Sequence, residues 1–361
     1  MPYGSISVDK IENSDGFTLG GSGAAMKNRI INGNMAIAQR TTSAVTTDES
    51  FPVDRFQLQV VNANLSLIQS SDAPAGFNYS IAATVTSTTS SAVTDRSRLF
   101  QNIEGFNVAD LGWGTANAKT ITVSFWARST VTGTYSGNIT NSAGNRSYIF
   151  TYALTANTWT YVTATIPGDT SGTWLKTNGN GLCLNPITFN LGSNYQGTAG
   201  SWIAGDARGT SGSTYLATNN SGAVFNLTGV QLEVGSQATS FDYRPYGTEL
   251  QLCQRYYYVI TRGAGAYFAT GFYYSISHMI AVVQFPVTMR ATPTLSATSG
   301  AGYYQIYRTG SNDEFNSLSL SSVSNITGSL QNTTEISGTA GYAGGVYADN
   351  ASILVAVQAE L

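Results

Sequence analysis

The feature that most constrains this chain is a two-residue alternation of apolar and polar side chains, recurring in short bursts along it. Thr120-Ile121-Thr122-Val123-Ser124-Phe125-Trp126-Ala127-Arg128 is the cleanest example. Successive side chains of a strand point to opposite faces, so such a run buries one face and leaves the other polar. Phe56 to Val60, Leu65 to Ile68, Tyr79 to Val85, Tyr148 to Tyr152, Trp159 to Ile166, Val224 to Leu227 and Val230 to Val234 behave alike. Many short strands between turn residues, with almost no helical periodicity, indicate an all-β sandwich. The stretch from Pro167 to Ala223 is rich in Gly, Ser, Thr and Asn, and part of it is expected to be surface loop.

One place breaks the pattern. Gly235 and Ser236 end a strand, and Arg244-Pro245-Tyr246-Gly247 punctuates the chain. Thr248 with Gln251 three residues on has capping-box spacing and predicts a helix from Glu249 to about Tyr257, with Leu250, Cys253 and Tyr257 on one face. Beyond it, Tyr256 to Ile260, Met279 to Val287 (broken at Pro286), Ser317 to Leu320 and Ser352 to Ala359 read as strands of a smaller β-domain. At the other end, Ser5 to Ile11 and Phe17 to Leu19 form a unit too small to stand alone, followed by a Gly/Ser/Ala joint. That segment reads as an attachment element, or else as an extra edge strand on the next domain. The expected organisation is an attachment segment over 1–27, a sandwich over 28–247, a helical connector over 248–258 and a β-domain over 259–361.

Two stretches carry a resemblance. Gly229 to Tyr258 reads GVQLEVGSQATSFDYRPYGTELQLCQRYYY, and Asn28 to Arg40 reads NRIINGNMAIAQR, followed by Val53-Asp54-Arg55-Phe56. The first resembles the end, and the second the start, of a carbohydrate-binding-module-like jelly roll in fibre and structural proteins of tailed bacteriophages. Asp242 stands where that pattern has glutamate. The resemblance covers roughly residues 28 to 247 by its two ends and implies a double-sheet jelly roll. None of its motifs is catalytic.

Composition narrows the function classes. Charged residues make up 10% and the net charge is -3, against a usual charged share of about 25%. Such a surface is polar without being ionic, as in extracellular and virion β-proteins, and it gives no basic footprint for nucleic acid. No apolar run approaches the ~18 residues of a membrane span. The N-terminus lacks a basic region followed by an apolar core, so no secretory signal is read there. Cys183 and Cys253 are too few for a disulfide framework and are expected as core fillers. A virion location, after assembly in a host cytoplasm, fits these features.

No catalytic constellation emerges. The single histidine, His278, opens an apolar strand and reads as structural, and no GxSxG, P-loop or CxxC is present. Asp48-Glu49 and Asp313-Glu314 are acidic doublets that look like solvated turns, and Asp206, Asp242 or Glu233 could reach calcium but lack a DxDxD loop. No enzyme, cofactor or metal site is expected. Asp206 with Arg208 reads as a local ion pair, and Asp242 with Arg244 as a structural pair.

The aromatic residues are the candidates for binding. Trp126 and Trp159 sit inside strands and read as core. Trp113, Trp174 and Trp202 lie in glycine-rich stretches, where a ring either stacks on a sugar face or packs back onto the sandwich. Tyrosines concentrate near the C-terminus: Tyr267, Tyr273 and Tyr274 in one glycine-flanked cluster, Tyr303 and Tyr304 in another. Tyrosine beside glycine suits recognition loops, while alternate tyrosines also suit a sheet interior or a subunit interface. The resulting expectation is a non-enzymatic phage fibre or appendage with a receptor-binding C-terminal tip. It binds virion partners through its N-terminal segment and a host-surface polysaccharide elsewhere, as the homotrimer that the fibre resemblance implies. A head or tail decoration protein without a glycan site and a tailspike-like depolymerase are the alternatives.

Overall fold

The computed structural model describes residues 26–308 and 310–361. The attachment segment read over residues 1–27 therefore lies, save for Met26 and Lys27, outside the described residues. The strands follow the alternation. They begin with β1 (Ser50–Val53), β2 (Phe56–Gln59), β3 (Asn64–Ser70), β4 (Ser80–Ser87), β5 (Arg96–Glu104) and β6 (Ile121–Ser129). β7 (Gly133–Thr140), β8 (Ser147–Leu154), β9 (Thr160–Ile166), β10 (Asn180–Leu191), β11 (Trp202–Ile203), a single helical turn α1 (Leu216–Asn219) and β12 (Val224–Val234) follow.

The chain divides into two compact units. The first holds the described residues up to Asn34, Gln59–Ser66 and Ser70–Tyr243, and the second holds Met35–Leu58, Leu67–Gln69 and Arg244–Leu361. In the first unit β4, β12, β6 and β9 are hydrogen-bonded neighbours in that order, and β5, β10, β7, β8 and β11 form the facing sheet. The chain passes from one sheet to the other after β4, β5, β6, β8, β9 and β11, which is the jelly-roll sandwich expected. Its core is aromatic: Phe125 of β6 meets Tyr152 of β8 edge to face at 5.2 Å, and Tyr135 of β7 meets Phe225 of β12 at 5.7 Å.

One strand was not read from the sequence, and two others prove to be one. The run from Pro167 to Ala223, read in part as loop, contains the twelve-residue β10, which sits between β5 and β7. Val224 to Leu227 and Val230 to Val234 are one strand, β12, kinked where the register shifts between Thr228 and Gln231.

The C-terminal part of the second unit opens with helix α2 (Tyr246–Gln254), which starts three residues earlier than its capping-box reading. Pro245 enters the helix as its cap residue at φ -53°, so Thr248 lies inside the first turn and caps nothing. Arg244 instead pairs with Glu249 across that turn at 3.1 Å. Strands β13 (Tyr257–Arg262), β14 (Ala266–Ser275), β15 (His278–Gln284), β16 (Thr294–Ala297), β17 (Tyr304–Arg308) and β18 (Ser311–Phe315) follow. β19 (Ser319–Ser321), β20 (Thr327–Asn332), β21 (Ala343–Ala348) and β22 (Leu354–Gln358) complete the unit. β13, β22 and β16 form a small sheet, and β18–β17–β21–β14–β15–β20–β19 a larger one.

The resemblance motif around Gln39, Arg40, Asp54 and Arg55, read as the start of the sandwich, falls by contacts in this second unit. Side-chain chemistry explains the placement. Glu360 pairs with Arg40 at 2.8 Å and also with Arg55. The two guanidinium groups lie over the rings of Tyr257 and Tyr256, at 3.8 and 3.5 Å. Gln39 donates to Asp54 through its backbone N–H at 2.8 Å and to the Tyr257 carbonyl through Nε2 at 2.9 Å. Motifs 200 residues apart in sequence thus close into one charged and aromatic network.

Candidate functional site

The outward face of the β4–β12–β6–β9 sheet is decided by parity. On β6, Ile121, Val123, Phe125 and Ala127 are fully buried in the core, so Thr122, Ser124, Trp126 and Arg128 point the other way. On β9, Val162 and Ile166 point inward and Tyr161, Thr163 and Thr165 outward. The register sets Trp126 opposite Tyr161 on one side and Thr228 on the other, and the Trp126 and Tyr161 rings lie 5.3 Å apart.

A wall rises beside this pair. Gly229 sits at φ 62° in the kink of β12, and a Cβ there would lie 2.7 Å from Phe77 Cζ and 3.2 Å from Trp126 Cδ1. Glycine thus lets Phe77 close in on the tryptophan. Phe77 packs against Phe241 at 5.1 Å and Tyr243 at 5.6 Å, and the Tyr243 hydroxyl donates to the Gly76 carbonyl at 2.8 Å. Burial pushes the Tyr243 phenol above its ordinary range, so it stays a donor.

The segment carrying Phe241 is pinned by Gln231 and Glu233 from the outward side of β12. Glu233 accepts from the Thr239 N–H at 2.9 Å and its hydroxyl at 2.6 Å, and the Asp242 N–H donates to Gln231 Oε1 at 2.9 Å. Asn28 joins from the chain's other end, taking the Leu232 N–H at 3.1 Å and giving its amide to the Val230 carbonyl at 3.1 Å. The QLE and NRIING stretches are therefore the frame of a groove of about 380 Å³, floored by Ser124, Trp126 and Tyr161. Farther along the same face Arg128 pairs with Asp72, reaches Asn226 Oδ1 at 3.2 Å and lies over Trp159 at 5.2 Å.

The tryptophans divide differently from the sequence reading. Trp113, Trp174 and Trp202 pack edge to face on one another, at 4.7, 5.2 and 5.5 Å between ring centres. Trp113 and Trp174 are buried, and all three indole N–H groups are taken by backbone carbonyls of Lys119, Ser171 and Pro167. This trio is a packing cluster with its polar handles satisfied. Trp126 and Trp159, read as core, are half-buried and outward, and among the described residues neither indole N–H has an acceptor.

The tyrosine candidates divide as well. Tyr273 and Tyr304 are core residues at 0% exposure. Tyr304 donates to the Thr298 carbonyl at 2.5 Å, and Tyr273 to Asp313, which also pairs with Arg308 at 3.2 Å. Burial, reinforced by Asp313, pushes the Tyr273 phenol far above its ordinary range. Rings so enclosed present no face to a ligand. Tyr303 is half-buried, and Tyr267 and Tyr274 are exposed.

Other residues singled out in the sequence have structural surroundings. His278 begins β15 with its ring 5.4 Å from Tyr274. Asp206 and Arg208 pair at 2.8 Å. Cys183 and Cys253 are buried free thiols, and burial holds the Cys253 thiol well above its ordinary range. Among the described residues no cluster of three or more His, Cys, Asp or Glu side chains could hold a metal, and no helix is long and apolar enough to cross a membrane.

No protein-family model matches the chain, and no curated protein is similar to it. Solved structures resemble it at low scores. The enzymatically active domain of bacteriophage CBA120 tailspike protein 4 aligns over 58% of this chain and 21% of that one, at 14% identity and a TM-score of 0.31. The CBM22-1 xylan-binding domain of Paenibacillus barcinonensis Xyn10C aligns over 56% of this chain and 99% of its own, at 9% identity and 0.27. TmCBM61, solved with β-1,4-galactotriose, aligns over 58% and 99%, at 10% and 0.29. Likeness at this level fixes neither ligand nor activity. The strand order and the groove geometry define the class: an all-β chain whose first unit is a jelly-roll sandwich with an aromatic groove on one sheet face.

Proposed function

We propose that the chain is a non-enzymatic glycan-binding protein whose first unit holds a polysaccharide on the Trp126–Tyr161 platform. The observation that carries this is the pairing of two outward aromatic rings with a third aromatic wall on a rigid sheet face, where Trp126 keeps a free indole N–H. A pyranose ring offers an apolar C–H face and a rim of hydroxyls. The rings take the face with little entropy to lose, Ser240 offers an exposed hydroxyl to the rim, and the Thr239 hydroxyl, which donates to Glu233, can accept from it. No basic side chain lines the groove, which suits a neutral chain.

The wider role we propose is host-surface adhesion as a fibre or appendage of a phage particle. Support comes from the NRIING and QLE…RP stretches, which resemble phage fibre jelly rolls and here frame the groove itself. Multivalent display in a homotrimer would raise weak single-site binding.

The test is a titration of the full chain with soluble xylan, β-1,4-galactan and mannan, read by intrinsic fluorescence. A saturable change that disappears in Trp126→Phe and persists in Trp202→Phe supports the groove. A change that follows Trp202 instead, or no change with any glycan, contradicts it.

A further inference from the structure

The larger sheet of the second unit carries an aromatic surface that the groove does not use. Tyr267 on β14 stands directly opposite Tyr347 on β21, and Tyr307 on β17 stands opposite Gly345. The ring centres are 5.1 Å apart for Tyr267 and Tyr347, 5.4 Å for Tyr307 and Tyr347, and 5.9 Å for Tyr267 and Tyr307. Gly345 makes this closure possible, since a Cβ there would lie 2.6 Å from Tyr267 Cδ1. Beneath the rings Gln305 is held rigid, donating to Asp349 at 2.6 Å and accepting from Asn312 at 2.9 Å.

This triangle is open to solvent, with Tyr267 62% and Tyr307 38% exposed. Among the described residues none of its three hydroxyls has a protein partner. Asp349, which accepts from Gln305, and Glu314, the cross-strand partner of Gln305 on β18, bring two carboxylates to this side of the sheet. The ring planes stand at 74°, 60° and 82° to one another, and with centres only 5 to 6 Å apart the rings touch edge to face and enclose no space. They therefore leave single ring faces open for stacking and form no cage around a quaternary cation.

We propose that Tyr267, Tyr307 and Tyr347 form a second glycan-binding site, selective for neutral saccharides. The rings supply the stacking face. The free phenols donate to and accept from sugar hydroxyls, and the two carboxylates accept from vicinal hydroxyls while repelling uronic-acid or phosphate-bearing chains. The site shares no residue with the groove of the first unit.

The experiment uses the full chain in a Trp126→Ala background, which silences the groove. Affinity electrophoresis is run against xylan, β-1,4-galactan, mannan and polygalacturonate, with choline chloride as a soluble competitor. Residual retardation by a neutral glycan is expected, reduced at least tenfold by Tyr267→Ala with Tyr307→Ala and partly by Tyr267→Phe with Tyr307→Phe, which keep the rings and fold alike. Polygalacturonate should not retard the chain and choline should not compete. The proposal is overturned if no neutral glycan binds in that background, if the tyrosine variants leave binding unchanged, or if polygalacturonate or choline wins. Loss of all binding on Trp126→Ala alone would sink this second site and leave the groove standing. Binding that ignores Trp126 but follows the tyrosines would do the reverse.

Discussion

Trp126 on β6 lies directly across from Tyr161 on β9, ring centres 5.3 Å apart, on the solvent side of a sheet whose other side is core. Because the two are cross-strand partners, the tilt between their rings is set by backbone register. The platform is therefore formed before any ligand arrives. Replacing Tyr161, 42% exposed, by Ala should weaken glycan binding about 3- to 10-fold, the worth of one stacked ring. Tyr161→Phe should bind nearly as the parent does. Parallel titrations of the two variants check this.

Trp174→Ala should act in the opposite sense. Its ring is buried between Trp113 and Trp202, so truncation leaves a cavity and an orphaned Ser171 carbonyl, costing about 3–5 kcal/mol. Denaturant unfolding should show that loss, while the folded fraction binds glycan with unchanged affinity. Weakened binding at full stability would move the site to the loop tryptophans.

Gly229→Ala tests the wall. At φ 62° a side chain is strained, and its Cβ would meet the Phe77 ring. We expect roughly 2 kcal/mol of lost stability together with weaker glycan binding, since Phe77 must leave Trp126. Calorimetry and titration of the same sample separate the two effects.

Asp54 sets a pH dependence in the second unit. Burial is the main cause that raises its pKa to about 6 from an ordinary 3.8, against the lowering effect of its bonds from Gln39. Between these values the folded state still holds a proton that the unfolded chain has released. Stability therefore falls as pH rises through that window, by about 3 kcal/mol in all, and levels off above it. Urea unfolding at pH 4, 5, 6 and 7, followed by a probe in the second unit, should show the decline. Asp54→Asn should flatten it, at a lower overall stability because one acceptor facing Gln39 is lost.

Much of the fold was legible because alternation is a direct statement about faces. The β6 run located its strand to within a residue, and the same parity already implied that Trp126 lies opposite Val123 and Phe125. Reading tryptophan as core by residue type overrode that signal, and with it the groove. β10 was hidden for a different reason. Its polar residues Asn185, Thr188 and Asn190 are buried, so it shows no solvent face to alternate with, and it also contains Pro186. The helix starts earlier than the Thr248–Gln251 spacing suggests because Pro245 stands at the N-cap position, where its fixed φ enters the helix without any side-chain cap. The tyrosine clusters mixed core with surface, and adjacent tyrosines on a strand must do so: Tyr273 points in and Tyr274 out. The pairing of Arg40 and Arg55 with Glu360 spans some 300 residues and leaves no local trace.

The central claim rests on the Trp126 face, and one measurement addresses it directly: affinity electrophoresis of the parent chain, Trp126→Ala and Trp174→Ala on gels containing the glycan that best retards the parent. The account predicts that Trp126→Ala, with a melting temperature close to the parent's, loses at least tenfold in affinity, while folded Trp174→Ala is retarded like the parent. Unchanged retardation of Trp126→Ala would contradict it.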